Sequence, residues 1–268
     1  MPVVQANGID IYYEMQGEGE PLVMIPYLAA DQACYAFQVA DYAKHFTCYT
    51  VDLRGAGRSS KPDGRYSTEL LADDVAAFMH AAGLDRAHIW GLSLGAATGM
   101  WLAAKHPERV ASLSLHSAWT ATDPFLTAVV ETWRIMAEGL GSVTDMVIAG
   151  IFPWCFTPEF YSARPEYIES LAEFVRGRPM PPVDALLRQS QAVLTHDARD
   201  VLSAIQAPTQ ITFGRYDMVT STRFAGPLST AIPRAEVTVF EDCAHAPIYQ
   251  NVEEFNQRTL AFLRRHQV

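Results

Sequence analysis

The stretch Ala87-His88-Ile89-Trp90-Gly91-Leu92-Ser93-Leu94-Gly95-Ala96-Ala97 decides how the chain is read. An apolar run at 87–90 leads into a G-x-S-x-G pentapeptide, and an alanine-rich segment at 96–106 follows and stops before Pro107. The run reads as a buried strand and the segment as a helix, which sets Ser93 on a sharp strand-to-helix turn. Such a turn strains the serine backbone and brings neighbouring backbone close, so small residues are required at 91 and 95. The strain holds the Ser93 hydroxyl out at the carboxyl edge of the sheet as a candidate nucleophile. The Leu94 N–H, next to the helix N-terminus, can donate to an oxyanion that forms there.

Outward from this turn, strand-like and helical patterns alternate. Residues 9–13 and 22–25 read as strands separated by Gly17-Glu18-Gly19-Glu20, a turn composition that predicts an opening hairpin. Helix is expected at 37–45 and 68–82, with strand at 48–51 and 110–115. Short apolar strands between amphipathic helices imply a mostly parallel sheet covered on both faces. From Trp119 to about Arg199 the alternation stops, and helical patterns at 124–140, 167–176 and 183–195 are interrupted by prolines. Strand at 210–213, helix at 221–231, strand at 236–240 and helix at 252–265 complete the pattern. The expected organisation is one α/β core, residues 1–118 and 199–268, with a helical cap insertion at 119–198. The insertion is rich in aromatic residues, which suggests an apolar pocket over Ser93, with Trp119 and Trp154 as candidate substrate contacts.

A serine hydroxyl needs a base, and the base needs a partner that fixes its tautomer. Asp217 follows the strand at 210–213, and His245 follows the strand at 236–240, so both emerge at the edge where Ser93 emerges. The order Ser, Asp, His along the chain fits this type of site. His116, at the end of the strand at 110–115, is the reserve candidate for the base, and Asp242 is the alternative acid. The glycine-rich stretch Asp52-Leu53-Arg54-Gly55-Ala56-Gly57-Arg58-Ser59-Ser60 matches neither phosphate-binding spacing. It reads as a turn organised by charge pairs among Asp52, Arg54 and Arg58.

The 268 residues are 49% hydrophobic and 19% charged, a globular composition, and the formal net charge of −10 argues against nucleic acid or an anionic membrane as partner. Residues 1–6 lack the basic flank and apolar core of a signal peptide, and no apolar run has the length of a membrane span. The reading is a soluble cytoplasmic protein whose partner is a small molecule. Cys34, Cys48, Cys155 and Cys243 form no C-x-x-C pair, so free thiols are expected rather than a zinc site or disulfides.

With the 91–95 elbow, Asp52 to Ser60, Gly-Arg-Tyr-Asp at 214–217 and Cys-Ala-His-Ala at 243–246, the chain resembles the α/β-hydrolase superfamily over nearly its whole length. It is most similar to small members such as 3-oxoadipate enol-lactonases, bacterial aryl esterases and serine-dependent N-acyl homoserine lactonases. The resemblance implies an eight-stranded, mostly parallel sheet with a helical cap, no metal, no organic cofactor, and Ser93, Asp217 and His245 as the triad. Many members carry His-Gly after the third strand, followed by the residue whose N–H completes the oxyanion hole. Here Ile25-Pro26-Tyr27-Leu28-Ala29 takes that place. The resemblance implies the Leu28 N–H as the aligned donor, Pro26 having no N–H to give, with the Tyr27 hydroxyl as an alternative contact to substrate.

The expected function is hydrolysis of a carboxylic ester or lactone through an acyl-enzyme, with N-acyl homoserine lactones among the candidate substrates. The lactone preference comes from the resemblance alone. Two alternatives stay open: a carbon–carbon bond hydrolase or perhydrolase with the same triad, and a small-molecule sensor in which hydrolysis is slow.

Overall fold

The computed structural model describes residues 2–267. Its strands are β1 (Val3–Ala6), β2 (Ile9–Gln16), β3 (Glu20–Ile25), β4 (Phe46–Val51), β5 (Ala87–Leu92), β6 (Val110–His116), β7 (Thr209–Gly214) and β8 (Ala235–Phe240). They form one sheet in the order β1-β2-β4-β3-β5-β6-β7-β8. Every pair from β4 to β8 is parallel, and β2 is antiparallel to both β1 and β4. Parallel neighbours need crossover connections, which α1 (Ala36–Tyr42), α2 (Thr68–Ala81) and α3 (Leu94–Lys105) supply in the first half. The long β6–β7 connection holds α4 (Pro124–Leu140), α5 (Val143–Met146), α6 (Phe152–Cys155), α7 (Pro158–Ala163), α8 (Pro165–Arg176) and α9 (Val183–Leu194). An isolated bridge between Ala121 and Asp197 closes the neck of this connection. The helix α10 (Ala225–Ala231) joins β7 to β8, and α11 (Pro247–Gln250) and α12 (Val252–Arg265) end the chain. Among the described residues no helix is long and apolar enough to cross a membrane.

The expected hairpin between 9–13 and 22–25 does not form. β2 turns back on β1 through Asn7-Gly8, where φ is 49° and 76°, and β4 lies between β2 and β3. Two positive φ values give the tight turn whose twist suits a hairpin, whereas the Gly17 to Gly19 loop carries the chain past the end of β4.

Two apolar layers cover the sheet. Ile89, Leu113 and Ile211 pack with Leu71, Phe78 and Met100 on one side, and Trp90, Met24 and Phe240 pack with Phe255, Phe262 and Leu263 on the other. All six residues of β5 are buried, as are all six of β7, because both faces of these central strands are covered, and the polar His88, Thr209, Gln210 and Thr212 are buried with their apolar neighbours. The α4 helix starts at Asp123, whose side chain accepts the Leu126 N–H at 2.8 Å, and stops at Gly141 in the left-handed conformation.

The turn at 52–60 is built differently from the expected charge pairs. The Asp52 carboxylate accepts the backbone N–H groups of Gln32 (2.6 Å) and Arg58 (2.7 Å), while Arg54 forms a buried two-pronged pair with Asp74 at 2.6 and 2.7 Å. A buried carboxylate meets its needs from backbone amides here, and the guanidinium reaches across to α2 instead.

The elbow depends on backbone contact. A Cβ on Gly95 would come within 2.0 Å of the Ile25 carbonyl oxygen, and one on Gly91 within 2.4 Å of the Gly95 carbonyl. No rotamer change relieves a clash between a Cβ and backbone, so Gly95→Ala is expected to cost about 3 kcal/mol or more, read as a lowered denaturation midpoint.

Two buried histidines hydrogen-bond to neutral groups. His116 lies between Trp90 and Phe255, its Nδ1 2.7 Å from Thr212 Oγ1, and burial pushes its pKa down to about 3. His196 bonds Thr68 Oγ1 (2.9 Å) and the Trp119 carbonyl (3.2 Å), and burial pushes its pKa down to about 4. The unfolded chain takes up these protons near pH 6.5 and the folded chain does not, so stability is complete above that pH and falls as pH drops below it. Each histidine is expected to remove on the order of 1–2 kcal/mol by pH 5. Asp52, pushed up to about 6 by burial, acts in the opposite sense over the same window. Urea titrations of wild type and His116→Asn at pH 7.5 and 5 isolate the histidine. The variant should be less stable at pH 7.5 yet lose less on acidification, and equal losses would contradict the assignment.

Candidate active site

Ser93 sits between the end of β5 and the first turn of α3 with φ 52° and ψ −117°, a conformation that non-glycine residues rarely adopt. Its N–H donates to the His116 carbonyl at 2.9 Å, which ties the strained residue to β6. Strain of this kind costs about 1–3 kcal/mol and persists because the surrounding backbone over-determines it. Leu94 opens α3, so its N–H lies in the first turn, where amides have no intrahelical carbonyl.

Asp217 and His245 follow β7 and β8 and meet at the same edge. His245 Nδ1 lies 2.9 Å from Asp217 Oδ2, with both side chains buried. The Asp217 Oδ1 atom accepts the Val219 N–H at 2.8 Å and the Thr220 N–H at 3.1 Å. Burial pushes the Asp217 carboxyl up, but the His245 charge and hydrogen bond and the two backbone amides outweigh it and hold the carboxyl below the usual range. A carboxylate only accepts, so Nδ1 carries the imidazole proton and Nε2 is the basic nitrogen. The two loops approach closely because residue 214 has no side chain: a Cβ there would be 2.0 Å from the Ala244 carbonyl oxygen.

Residues not singled out in the sequence hold this pair. The Ser117 hydroxyl donates to the His245 carbonyl at 2.9 Å, and Ser117 itself has φ 49°. The Thr220 hydroxyl donates to the Ser117 carbonyl at 2.9 Å. Gln250 accepts the Ala244 N–H (3.0 Å) and donates to the Asp242 carbonyl (2.7 Å), so Asp242 shapes the loop through its backbone. The position of Ser117 directly after a strand end was the available signal. Thr220 and Gln250 gave none. The ring of His116, the reserve base, is fully buried against Trp90 and Phe255 and does not line the cavity that Ser93 and His245 share.

Ser93 and His245 line one cavity of about 100 Å³. Leu28, Ala29, Tyr27 and Tyr249 form its floor with them, and Trp133, Val147, Phe152, Phe156, Leu171 and Phe174 from the helical connection form its walls. Most of the lining is apolar, and the ion pair of Arg178 with Asp31 (2.5 Å) is the charged element in the wall. Tyr27 lines the cavity, but its hydroxyl is engaged. Tyr249 Oη donates to the Cys34 carbonyl at 2.5 Å, which leaves Tyr27 Oη, 2.7 Å away, to donate to Tyr249.

The two expected tryptophan contacts are corrections. Trp119 is fully buried outside the cavity, packed on His196 with its indole N–H donated to Thr122 Oγ1 at 2.9 Å. Trp154 also lies outside the lining, and its backbone carbonyl instead accepts the His245 N–H at 3.3 Å. Trp119 lies at the neck, below the helices that form the wall, and aromatic composition carries no direction for the side chain.

Residues 20–252 match the family model described as alpha/beta hydrolase fold. A protein of Azorhizobium caulinodans provisionally named carbamate hydrolase RutD is 27% identical, with 98% of each chain covered. The enol-lactonase from Burkholderia xenovorans superposes with a TM-score of 0.88 at 25% identity, over 98% of this chain and 100% of the other. Est816, described as an N-acyl homoserine lactone degrading enzyme, gives a TM-score of 0.82 at 29% identity, over 97% of this chain and 100% of the other. With the elbow, the strand order and a match that runs from β3 to the first residue of α12, the chain belongs to the α/β-hydrolase family of enzymes.

Proposed function

We propose that this protein is a serine hydrolase that cleaves carboxylic esters or lactones with an apolar acyl group, through an acyl-enzyme. The observation that carries the reading is the buried Asp217–His245 pair, with His245 and the strained Ser93 lining one apolar cavity. His245 Nε2 takes the Ser93 proton as Oγ attacks the carbonyl carbon, and Asp217 stabilises the imidazolium that results. The Leu94 and Leu28 N–H groups receive the oxyanion. The Ala29 and Ala30 amides are committed to Gln189 Oε1 and the Tyr27 carbonyl, which supports Leu28 as the donor in this loop. His245 then returns the proton to the leaving alcohol, and a water molecule repeats the sequence to release the acid.

Residues 119–198 act in this reading as the cap, and its helices supply walls that a hydrocarbon chain or ring would fill by displacing water. A lactone fits the same steps, with the leaving alcohol tethered to the acyl group, and the enol-lactonase and the N-acyl homoserine lactone degrading enzyme support that choice. A carbamate presents the same carbonyl to Ser93, and the Azorhizobium caulinodans relative makes it the competing substrate class.

Turnover is checked by pH-stat acid release from N-acyl homoserine lactones, beside p-nitrophenyl esters of matching chain length and an alkyl carbamate. Ser93→Ala is expected to lose about 10⁴-fold or more in kcat with its fold intact. Retained activity in that variant would exclude the acyl-enzyme. Lactones well ahead of esters would fix the substrate class, and a preference for the carbamate would move it to the competing one.

A further inference from the structure

The loop that carries Leu28 is also held from α9 of the helical connection. The Ala30 N–H donates to the Tyr27 carbonyl at 3.2 Å, and Ala29 has φ 63° while Leu28 is not among the residues of positive φ. That combination describes a type II turn, whose third position normally takes glycine because a Cβ crowds the left-handed conformation. Alanine holds it here. Gln189 of α9, with no exposed surface, accepts the Ala29 N–H through Oε1 at 3.2 Å and donates Nε2 to the Arg54 carbonyl at 2.8 Å. A carbonyl faces one end of the amide and an N–H the other, so only one orientation of the side chain satisfies both. Residue 55 also has no side chain, and a Cβ there would come within 3.2 Å of Gln189 Cγ. The glycine-rich turn at 52–60 thus makes room for this glutamine and supplies its second partner.

We propose that Gln189 is a positioning residue for the oxyanion site: by accepting the Ala29 N–H it keeps the Tyr27–Ala30 turn in its left-handed form and the Leu28 N–H aimed at the reacting carbonyl. The inference rests on the reading that Leu28 completes that site. Without the acceptor, the Ala29 N–H is buried and unpaired, and the Leu28–Ala29 peptide has every reason to rotate into a form alanine prefers. Arg178 ties the same loop to the connection through Asp31, at 2.8 and 2.5 Å, so the loop stays closed over the cavity while its geometry relaxes. The consequence is a loss in the chemical step rather than in substrate binding.

The test compares wild type, Gln189→Met and the double variant Gln189→Met with Ala29→Gly, using the fastest ester or lactone. Gln189→Met is expected to lower kcat on the order of 10- to 100-fold with KM changed less than about 3-fold. Glycine adopts the left-handed turn without an external hold, so the double variant should regain most of the lost kcat. A role in packing alone would not respond to glycine at position 29. Wild-type kcat in Gln189→Met, a change confined to KM, or no recovery in the double variant would each overturn the proposal. Should Gln189→Met fail to fold, Gln189→Asn, one methylene shorter, serves the same comparison. Amide exchange at Ala29 is followed in parallel and must speed up in the single variant. Fast exchange in that variant, with wild-type turnover that does not depend on Ser93, would sink the catalytic reading and leave the hold on the turn intact.

Discussion

The contact of the first turn of α3 with the carboxyl end of β3 is the constraint on which the site depends. Gly95 lies so close to the Ile25 carbonyl that no side chain fits between them, and the chain leaves β3 at that carbonyl to form the loop containing Leu28. One backbone approach therefore fixes the strained Ser93, the Leu94 amide behind it and the root of the facing loop. Tyr35 reinforces it from below. Its buried hydroxyl donates to the Ile25 carbonyl at 2.8 Å and accepts the Leu92 N–H at 3.3 Å, which ties the ends of β3 and β5 together. The phenol is kept protonated by burial and its neighbours, so the bridge does not change with pH across the physiological range.

A second constraint is electrostatic. A carboxylate in an apolar interior is costly unless hydrogen bonds meet its charge, and Asp217 has amides and an imidazole around it. Its ionised state is thus built into the loop after β7. The partner loop is fixed from three sides: by Ser117 at the end of β6, by Gln250 in α11, and by the Trp154 and Cys155 carbonyls in the helical connection. Each of these bonds ends on the backbone of the loop itself, two side chains and two carbonyls gripping it, so the imidazole is positioned through its own main chain.

Much of this was legible in the sequence because the signals are local. Apolar runs and helical periodicity give the alternation of strands and helices, and the G-x-S-x-G pentapeptide announces the elbow through the residues that close approach requires. Asp217 and His245 are found by counting outward from strand ends, since parallel strands deliver their following residues to one edge. Pairing between distant segments is not local, and there the reading failed. A glycine-rich stretch between two strands looks like a hairpin turn, and nothing in residues 17–20 records that β4 will insert between β2 and β3. Asn7-Gly8 was a stronger turn signal, but the four-residue β1 before it was too short to read as a strand. Trp119 and Trp154 failed for another reason: composition marks a segment as apolar without saying which way each ring points. Gln189 was illegible because a single glutamine in an amphipathic helix looks like surface.

The helical connection combines two tasks that its sequence does not separate. Its apolar residues wall the cavity, and a few polar groups reach the core loops: Gln189 to Ala29 and Arg54, Arg178 to Asp31, and the Trp154 carbonyl to His245. The residues that line the cavity and the groups that reach the core loops thus belong to one connection between β6 and β7. Charge that develops in an enclosed, water-poor site is stabilised strongly by fixed dipoles and poorly by groups free to turn. Enclosure without alignment would strand that charge, and alignment without enclosure would leave it to water. Carrying both on one connection couples them.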